Sequence, residues 1–294
     1  MQTNIHPDLI ALPKVQEADA ILRKCVHCGF CTATCPTYQL LGDELDGPRG
    51  RIYLIKNLLE DSTISDDSIA HLDRCLTCRA CETTCPSGVE YGRLLDIGRE
   101  FVKDHANRPL RSRMLTFLLR LVVPRPALFA PLLKLGQFCR PILPAFIKRH
   151  VPIKMPVLHQ VEPVAGANVL LLTGCVQSAA TPNVVASLLK VLQHQGMDAE
   201  VFHEGCCGAL DYHLSAHEAG MQRMKAIIDQ LFPRIDQIDY IVSSATGCGV
   251  TIRDYPEILQ YDDAYRDKAS AIVDKLIDPI EIVSGEAIEV TTTR

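Results

Sequence analysis

Residues 25–36, CVHCGFCTATCP, recur fifty positions later as residues 75–86, CLTCRACETTCP. Both copies have the spacing C-x2-C-x2-C-x3-C-P, which is the cysteine pattern of two-cluster ferredoxins. In that pattern three closely spaced cysteines wrap one iron–sulfur cube, while the fourth ligates the other cube. The repeat therefore predicts two [4Fe–4S] clusters, with the ligands exchanged at the fourth position: Cys25, Cys28, Cys31 and Cys85 for the first, and Cys75, Cys78, Cys81 and Cys35 for the second.

Zinc is the alternative for these thiols, because structural zinc sites also use cysteines two residues apart. Such a site takes four ligands, whereas here six thiols stand in two tight triplets, and this favours iron–sulfur. The chain has 13 cysteines and begins without an apolar signal segment. So many thiols in a chain without that segment indicate metal ligands in a reducing compartment, and we expect a cytoplasmic protein.

Composition and charge exclude some classes of partner. The chain lacks Trp, contains 5% aromatic residues and has a formal net charge of −5. These values disfavour a nucleic-acid partner, which requires stacking side chains or an excess of positive charge. Charge also divides the chain, because residues 105–161 hold ten basic and no acidic side chains between two acidic segments. We therefore predict three parts, 1–104, 105–161 and 162–294.

The N-terminal part reads as helical between and after the cysteine runs. In RGRIYLIKNLLE, residues 49–60, Ile52, Ile55 and Leu59 share one helix face. Two further helices are expected, one capped by Ser65 and one over residues 91–105. Helical connections of this length predict an α-helical ferredoxin-like domain. Arg49 and Arg51 are placed either to pair with the reduced clusters or to lie on a solvated helix face.

The basic segment, residues 105–161, alternates short apolar runs with Arg, Lys and Pro. Each run is too short to span a bilayer. Two interpretations remain open: a surface that contacts an anionic membrane or a partner, and a linker whose short helices pack on the flanking domains with the bases in water. Cys139 stands alone here, and we expect an inert buried thiol.

From residue 168 the pattern becomes α/β. Apolar strands in ANVLLLTGC, DAEVFHEGCCG and DYIVSSATGCG alternate with helices, which predicts a parallel sheet. Ligands in such sheets bind at the carboxyl ends of strands. Four cysteines fall there and predict a third [4Fe–4S] cluster: Cys175, Cys206, Cys207 and Cys248. A zinc site and a redox pair at Cys206–Cys207 are the alternatives. The fold class is thus α+β multidomain, helical ferredoxin-like and then α/β.

Three stretches together resemble one family: CVHCGFCTATCPTYQLLGDELDGPRGRIYLIK, HLDRCLTCRACETTCPSGV and GCCGALDYHL. They are similar to the iron–sulfur subunits of bacterial glycolate oxidase (glycolate dehydrogenase). The Cys-Cys-Gly stretch is also similar to that of heterodisulfide reductase, lactate-utilisation and anaerobic glycerol-3-phosphate dehydrogenase subunits. The resemblance implies the same eight ferredoxin ligands and the same four cysteines in the Cys-Cys-Gly module.

That resemblance implies electron transfer, with no catalytic residue for substrate on this chain. FAD-containing partner subunits would oxidise glycolate to glyoxylate, and this chain would pass electrons towards a quinone or other membrane acceptor. The expected location is peripheral, on the cytoplasmic face of the inner membrane. A D-lactate or glycerol-3-phosphate dehydrogenase partner is one alternative. A metal-stabilised interaction protein without redox turnover is another.

Two departures from the family pattern stand out. Thr251 occupies the position where heterodisulfide reductase modules end in C-x-x-C, which argues against a five-thiolate noncubane cluster. The family also carries a second Cys-Cys-Gly module, and this sequence stops at EAIEVTTTR where that module would begin. We therefore expect a single copy of the module, in a truncated or natural short form.

Overall fold

The computed structural model describes residues 1–61, 65–105, 109–155, 163–164, 166–203 and 205–283. The chain forms two compact units, Met1–Pro109 and Leu110–Arg294. The C-terminal stretch EAIEVTTTR lies outside the described residues, as do residues 106–108 and 156–161 of the basic segment. The boundaries predicted at 104/105 and 161/162 stay predictions.

The first unit is helical throughout its described residues, apart from turns and loops. Its helices are α1 Pro13–Lys24, α2 Pro36–Leu41, α3 Pro48–Asp61, α4 Asp66–Asp73, α5 Ala80–Thr83 and α6 Tyr91–His105, with 3-10 turns at Phe30–Thr32 and Glu44–Asp46. The predicted Ser65 cap is confirmed, because the Ser65 hydroxyl accepts from the Ser68 amide.

Helices α1, α3 and α6 enclose the core of this unit. The predicted face of α3 is buried, with Ile55 and Leu59 fully inaccessible to water. Burying such a side chain contributes about 1.5–3 kcal/mol. Gly98 in α6 makes the close packing possible, since a Cβ there would lie 2.7 Å from Ile55 Cγ1. The helices are thus held by apolar packing, and the cysteine loops project from them.

The second unit contains the α/β fold and, before it, the described part of the basic segment. Its helices are α7 Leu110–Val122, α8 Pro126–Cys139, α9 Ala145–Lys148, α10 Gln177–Ala180, α11 Pro182–His194, α12 Ala209–His213, α13 His217–Leu231, α14 Thr246–Arg253, α15 Tyr255–Ile258, α16 Arg266–Val273 and α17 Pro279–Val283, with 3-10 turns at Arg140–Ile142 and Phe232–Gln237. Its strands are β1 Val169–Leu172, β2 Ala199–Phe202, β3 Tyr240–Ser243 and β4 Leu276–Ile277.

All strand pairs are parallel, in the order β2-β1-β3-β4. Both faces of the sheet are covered. Leu170 and Leu172 pack towards α13 and α16, whereas Val169 and Leu171 pack towards α11. Continuous apolar strands buried on both sides are typical of parallel sheets. The predicted fold class is confirmed, and β4 is an addition that its two residues did not signal.

Two further predictions concern the basic segment. Cys139 was expected to be buried and is only half-buried, because α8 contains no buried residue. Among the described residues no single helix has the length and apolarity to cross a membrane. One pair, Leu110–Val122 and Pro126–Ile142, passes that test jointly on length and composition, with a bend of 108° between its halves.

Candidate iron–sulfur centres

The sequence repeat is also a repeat of backbone conformation. His27 and Gly29 lie in the left-handed region, at φ 56° and 83°. Fifty residues on, Thr77 and Arg79 do the same, at φ 54° and 58°. Left-handed residues between the cysteines curl each loop tightly, which is how backbone amides come to line an anion-binding concavity. Both loops therefore have the conformation that wraps a cluster.

The first loop lines a hollow of about 420 Å³. Its cysteines are Cys25, Cys28, Cys31, Cys81 and Cys85. The structure thus brings Cys85 of the second copy to the triplet of the first, as the exchanged ligand scheme requires. The amide of Arg49, in the first turn of α3, also donates to Cys31, and a helix N-terminus favours negative charge.

The second loop lines a hollow of about 290 Å³. Its cysteines are Cys35, Cys75, Cys78 and Cys81. Cys35 comes from the first copy, so the exchange is reciprocal. Five thiols line the first hollow and four line the second, and a [4Fe–4S] cluster takes four. The residues therefore fit the group, while the assignment of each ligand stays a prediction.

The two hollows share part of their walls. Pro48, Cys81 and Tyr91 line both. The Tyr91 side chain is buried, and its hydroxyl donates to Cys75 Sγ at 3.6 Å. A hydroxyl donor on a ligand sulfur is one of the contacts that set cluster potentials. Tyr91 is therefore a positioning residue between the two sites that the sequence reading did not single out.

The repeated threonines meet where the two copies come together. Thr34 Oγ1 lies 3.3 Å from Thr84 Oγ1 and donates to the Ala80 carbonyl at 3.1 Å. Equivalent residues touch each other only near a two-fold axis, as in an isologous interface. The offset of fifty residues thus reflects an approximate internal symmetry of the paired sites.

A buried charge network borders the second hollow. Arg51 is fully inaccessible to water and donates to the His71 carbonyl at 2.7 Å and to Thr37 Oγ1 at 3.1 Å. Thr37 Oγ1 in turn lies 3.2 Å from Cys35 Sγ. Arg51 also pairs with Asp46, at 3.4 Å. The interpretation of Arg51 as part of a solvated face is therefore wrong: its long side chain is drawn into the interior by these acceptors.

Arg99 holds the second cysteine loop from the other side. Its guanidinium donates to the carbonyls of Leu72 and Cys75, at 2.9 and 2.8 Å, and to Thr77 Oγ1 at 3.0 Å. One side chain thus ties the entry to the loop and its left-handed residue to helix α6. An arginine within the apolar pattern of α6 could have indicated this buried role, but Arg99 was not predicted to have one.

Burial changes the acidity of these thiols. Burial and the neighbouring Cys25 and Cys28 raise the pKa of Cys31, against hydrogen bonds from backbone amides. Burial is also the main cause that raises the pKa of Cys81, followed by the charge of Glu82. Crowded thiols with raised pKa values lose their protons when a metal supplies positive charge. Both hollows thus hold thiols that a bound metal would deprotonate.

The third group of cysteines lies at the carboxyl edge of the sheet. Cys175 follows β1, Cys206 and Cys207 follow β2, and Cys248 lies within the first turn of α14, after β3. The spacing of DYIVSSATGCG predicts that Cys248 precedes its helix, and this is wrong, because the helix begins at Thr246. Since β1 stands between β2 and β3, the edge is a topological switch point, where open α/β sheets bind ligands.

These four thiols contact one another. Hydrogen bonds link Cys206 to Cys175 and to Cys207, and Cys207 to Cys248. The bonds from Cys175 and Cys207 lower the pKa of Cys206 to about 3, and the same contacts raise the pKa of Cys175 and Cys207. Four thiols in mutual contact are the donor set that one more cluster takes. All 13 cysteines are free, and Cys206–Cys207 forms no disulfide.

Gly208 and Tyr255 determine the shape of the Cys-Cys-Gly turn. Gly208 has φ +86°, and a Cβ there would lie 2.6 Å from the Gly220 carbonyl oxygen. Only glycine fits such a position. The buried Tyr255 hydroxyl donates to the Cys207 carbonyl at 2.8 Å. His213, six residues after Cys207, is half-buried and makes an edge contact with the Tyr212 ring.

Two cysteine sites in a helical domain, followed by a cysteine-edged parallel sheet, define a two-domain iron–sulfur electron-transfer protein. Family models agree: a "4Fe-4S dicluster domain" matches residues 21–89, and a "Cysteine-rich domain" matches residues 169–253. No solved structure matches the chain.

Curated relatives indicate which family of iron–sulfur electron-transfer proteins the chain belongs to. The glycolate oxidase iron-sulfur subunit of Escherichia coli (strain K12) is 46% identical over 292 residues, covering 98% of this chain and 72% of the relative. The probable glycolate oxidase iron-sulfur subunit of Bacillus subtilis (strain 168) is 30% identical, covering 87% and 64%. Lactate utilization protein A of Exiguobacterium sp. is 30% identical over 125 residues, covering 42% and 50%. The chain belongs to the family of glycolate oxidase iron–sulfur subunits.

Proposed function

We propose that this chain is the electron-transfer subunit of a membrane-associated glycolate oxidase. It would receive electrons from FAD-containing subunits that oxidise glycolate to glyoxylate and deliver them to a quinone-type acceptor. The observation that carries the proposal is the pair of thiol-lined hollows with a shared wall at Cys81 and Tyr91. Adjacent sites of this kind serve for transfer between centres. The 46% identity over 98% of the chain supports the choice of substrate system.

Three cofactors are proposed on this chain. Cys25, Cys28, Cys31 and Cys85 hold one [4Fe–4S] cluster, and Cys35, Cys75, Cys78 and Cys81 hold a second. The four thiols at the sheet edge hold a third. Such clusters, when bound, take up and release one electron at a time. The chain's own residues orient the ligands: Arg99 fixes the second loop, and Tyr255 and Gly208 shape the Cys-Cys-Gly turn.

The proposed location is peripheral, on the cytoplasmic face of the inner membrane. Support comes from the basic segment, which has ten basic and no acidic side chains over residues 105–161. Anionic lipids on that face attract such segments. A quinone-type acceptor would be within reach of a protein held at this surface.

Reconstitution tests the proposal. The chain is purified anaerobically, mixed with the glycolate-oxidising flavoprotein subunits and given glycolate, while the visible absorption and EPR of the clusters are followed. We expect glycolate-dependent bleaching and a reduced-cluster EPR signal. Cys81→Ser is expected to lose the signal of the second cluster, whereas the matched variant Cys139→Ser keeps it, since Cys139 lines neither hollow. Full flavin reduction with no cluster reduction in the wild type would refute the proposal.

D-Lactate is the second candidate substrate for the partner subunit. It rests on the similarity to lactate utilization protein A, 30% in Exiguobacterium sp. and 26% in Bacillus subtilis (strain 168), over part of the chain. The same assay separates the two, with a D-lactate-oxidising flavoprotein in place of the glycolate-oxidising one. Faster cluster reduction with D-lactate would assign the chain to that system.

A further inference from the structure

Helix α7 lies on the surface with its polar side facing the protein and its apolar side facing outward. Its half-buried inward side holds Ser112, Thr116 and Arg120, four residues apart. Its apolar side chains face outward instead, with Leu115 59% and Phe117 61% exposed. A surface helix normally buries its apolar stripe and exposes its polar one. The reversed orientation means that the apolar side of α7 requires a covering from outside this chain's described residues.

Helix α8 continues the same pattern. Leu128, Leu132, Leu135 and Phe138 follow one another at spacings of four, three and three residues, which places them on one helix face. All four are exposed, Phe138 to 83%. Neither α7 nor α8 contains a buried residue. We call the exposed apolar side chains of these two helices the outer face. Exposed apolar patches of this extent mark interaction sites.

Positive charge accompanies the outer face. Arg113 and Lys134 are exposed on the two helices, among the exposed leucines. No acidic residue occurs anywhere in residues 105–161. Apolar side chains interleaved with bases match a surface of acyl chains beneath negative headgroups, and they leave no acid to repel those headgroups.

The outer face is anchored to the Cys-Cys-Gly domain. On the inward side of α7, Arg120 Nε pairs with Asp211 at 2.6 Å. The Asp211 carboxylate is buried and also pairs with Arg223, at 2.6 Å. Asp211 lies four residues after Cys207. A charge pair with one buried partner keeps a defined geometry, so α7 is fixed relative to the third group of cysteines.

We propose that the outer face of α7 and α8 binds the surface of an anionic phospholipid bilayer, with both helices in the plane of the headgroups. The proposal rests on the peripheral location within the proposed function and assigns it to named residues. It also places the Cys-Cys-Gly domain beside the bilayer, through the Arg120–Asp211 pair. A lipid-soluble acceptor would meet this domain first.

Vesicle flotation tests the proposal on the full cluster-containing chain under anaerobic conditions. Vesicles of phosphatidylcholine with phosphatidylglycerol are compared with phosphatidylcholine alone. We expect the chain to float with the anionic vesicles only. The double variant Arg113→Gln/Lys134→Gln is expected to partition into anionic vesicles about 25-fold less than the wild type, or about fivefold less for each base removed. Leu132→Ser/Phe138→Ser is expected to abolish flotation.

Matched controls come from exposed positions elsewhere. Leu40 is 83% exposed in α2, and Lys190 is exposed in α11. Leu40→Ser and Lys190→Gln are expected to float like the wild type. Equal loss in the controls, or a wild-type chain that stays in solution with anionic vesicles, overturns the proposal. So does a Leu132→Ser/Phe138→Ser variant that floats normally but no longer co-purifies with the flavoprotein, because the outer face is then a protein interface.

Two readouts separate this proposal from the proposed function. Iron content and melting temperature establish that each variant is folded. Glycolate-dependent cluster reduction, measured without vesicles, reports electron uptake independently of lipid. Normal reduction with no flotation refutes the membrane surface alone, whereas flotation without glycolate-dependent reduction refutes the electron-transfer role alone.

Discussion

Arg51 has a full positive charge at a position with no access to water. Its neighbours supply the compensation: the Asp46 carboxylate, the His71 carbonyl and the Thr37 hydroxyl. Asp46 is itself buried, and it also binds His71 and Arg74. Burial raises the pKa of Asp46, but the hydrogen bonds from His71 and Arg74 outweigh it and hold that pKa below its ordinary value. The network therefore stays ionised and braces the wall of the second hollow.

Removal of Arg51 should destabilise the first unit strongly. Arg51→Met leaves Asp46 with less compensation and two acceptors without a donor, so we expect the free energy of unfolding to fall by about 3 kcal/mol. Arg74→Met is the control, since the Arg74 side chain is 52% exposed, and we expect a loss of about 1 kcal/mol or less. Anaerobic urea titrations followed by circular dichroism measure both. Equal losses would contradict the assigned role of Arg51.

Gly208 is the second position where one residue decides a site. In Gly208→Ala the new methyl group meets the backbone oxygen of Gly220, which cannot move aside like a flexible side chain. We expect iron content to fall by about four atoms per chain, because one cube is lost. Gly196→Ala is the matched control: Gly196 also has positive φ, at +72°, yet nothing lies within 4 Å of its Cβ position. Full iron content in Gly208→Ala would contradict this account of the turn.

At the scale of elements, an ion pair fastens strand β2 to the 3-10 turn Phe232–Gln237. Arg234 donates two hydrogen bonds to the Glu200 carboxylate, both at 2.9 Å. These bonds lower the pKa of Glu200, helped by the Gly166 amide and opposed by burial. A carboxylate with a lowered folded-state pKa stabilises the fold above its unfolded pKa of about 4.3, and that contribution is lost as pH falls through the folded value.

Glu200→Gln should therefore cost the same stability from pH 8 down to pH 5.5. We expect a loss of about 1 kcal/mol or less, after allowance for solvent at this partly exposed pair, or about 2–4 °C in melting temperature per kcal/mol. Asp198→Asn, at an exposed position just before β2, is expected to change little. Melting curves at several pH values test this. A difference that vanishes between pH 8 and pH 5.5 would contradict the lowered pKa.

The elements also show how far sequence reasoning reaches. Helices α3, α4 and α6 and strands β1, β2 and β3 followed from apolar periodicity and caps, because each buries a face that the pattern marks. The pattern after the Cys-Cys-Gly stretch predicts a helix over residues 214–231, and the structure begins that helix at His217. Strand β4 was not predicted, because a strand of two residues is too short to show an alternating pattern. The exposure of the α7 leucines was not predicted for another reason. Periodicity identifies an apolar helix face, but it does not show whether that face points towards the protein or away from it.

The same limit applies to side chains around the sites. Cysteine spacing led to two groups of ferredoxin cysteines, because loop wrapping is local; the hollows bring Cys85 to the first triplet and Cys35 to the second, while Cys81 lines both. Arg51, Tyr91 and Arg99 reach the sites from distant positions, through contacts that depend on how the helices pack. Cys248 was placed correctly at the sheet edge, but the start of its helix depends on backbone geometry at residues 245–246. The domain order was predictable throughout, since each pattern belongs to a continuous segment.

At the scale of the whole molecule, the chain combines two kinds of thiol site. The helical unit holds paired hollows, and the sheet unit holds a single fourfold edge site. The chain covers 72% and 64% of the length of its glycolate oxidase relatives. If all three sites take a cluster, these 294 residues hold three redox centres.

Iron and acid-labile sulfide per chain, measured on anaerobically purified protein with EPR of the reduced sample, distinguish three clusters from two or none. We expect about 12 irons and 12 sulfides, since each cube holds four of each, with EPR signals from interacting clusters. About 8 irons would contradict the cluster at Cys175, Cys206, Cys207 and Cys248. Zinc without iron, after strict exclusion of oxygen, would contradict the electron-transfer account altogether.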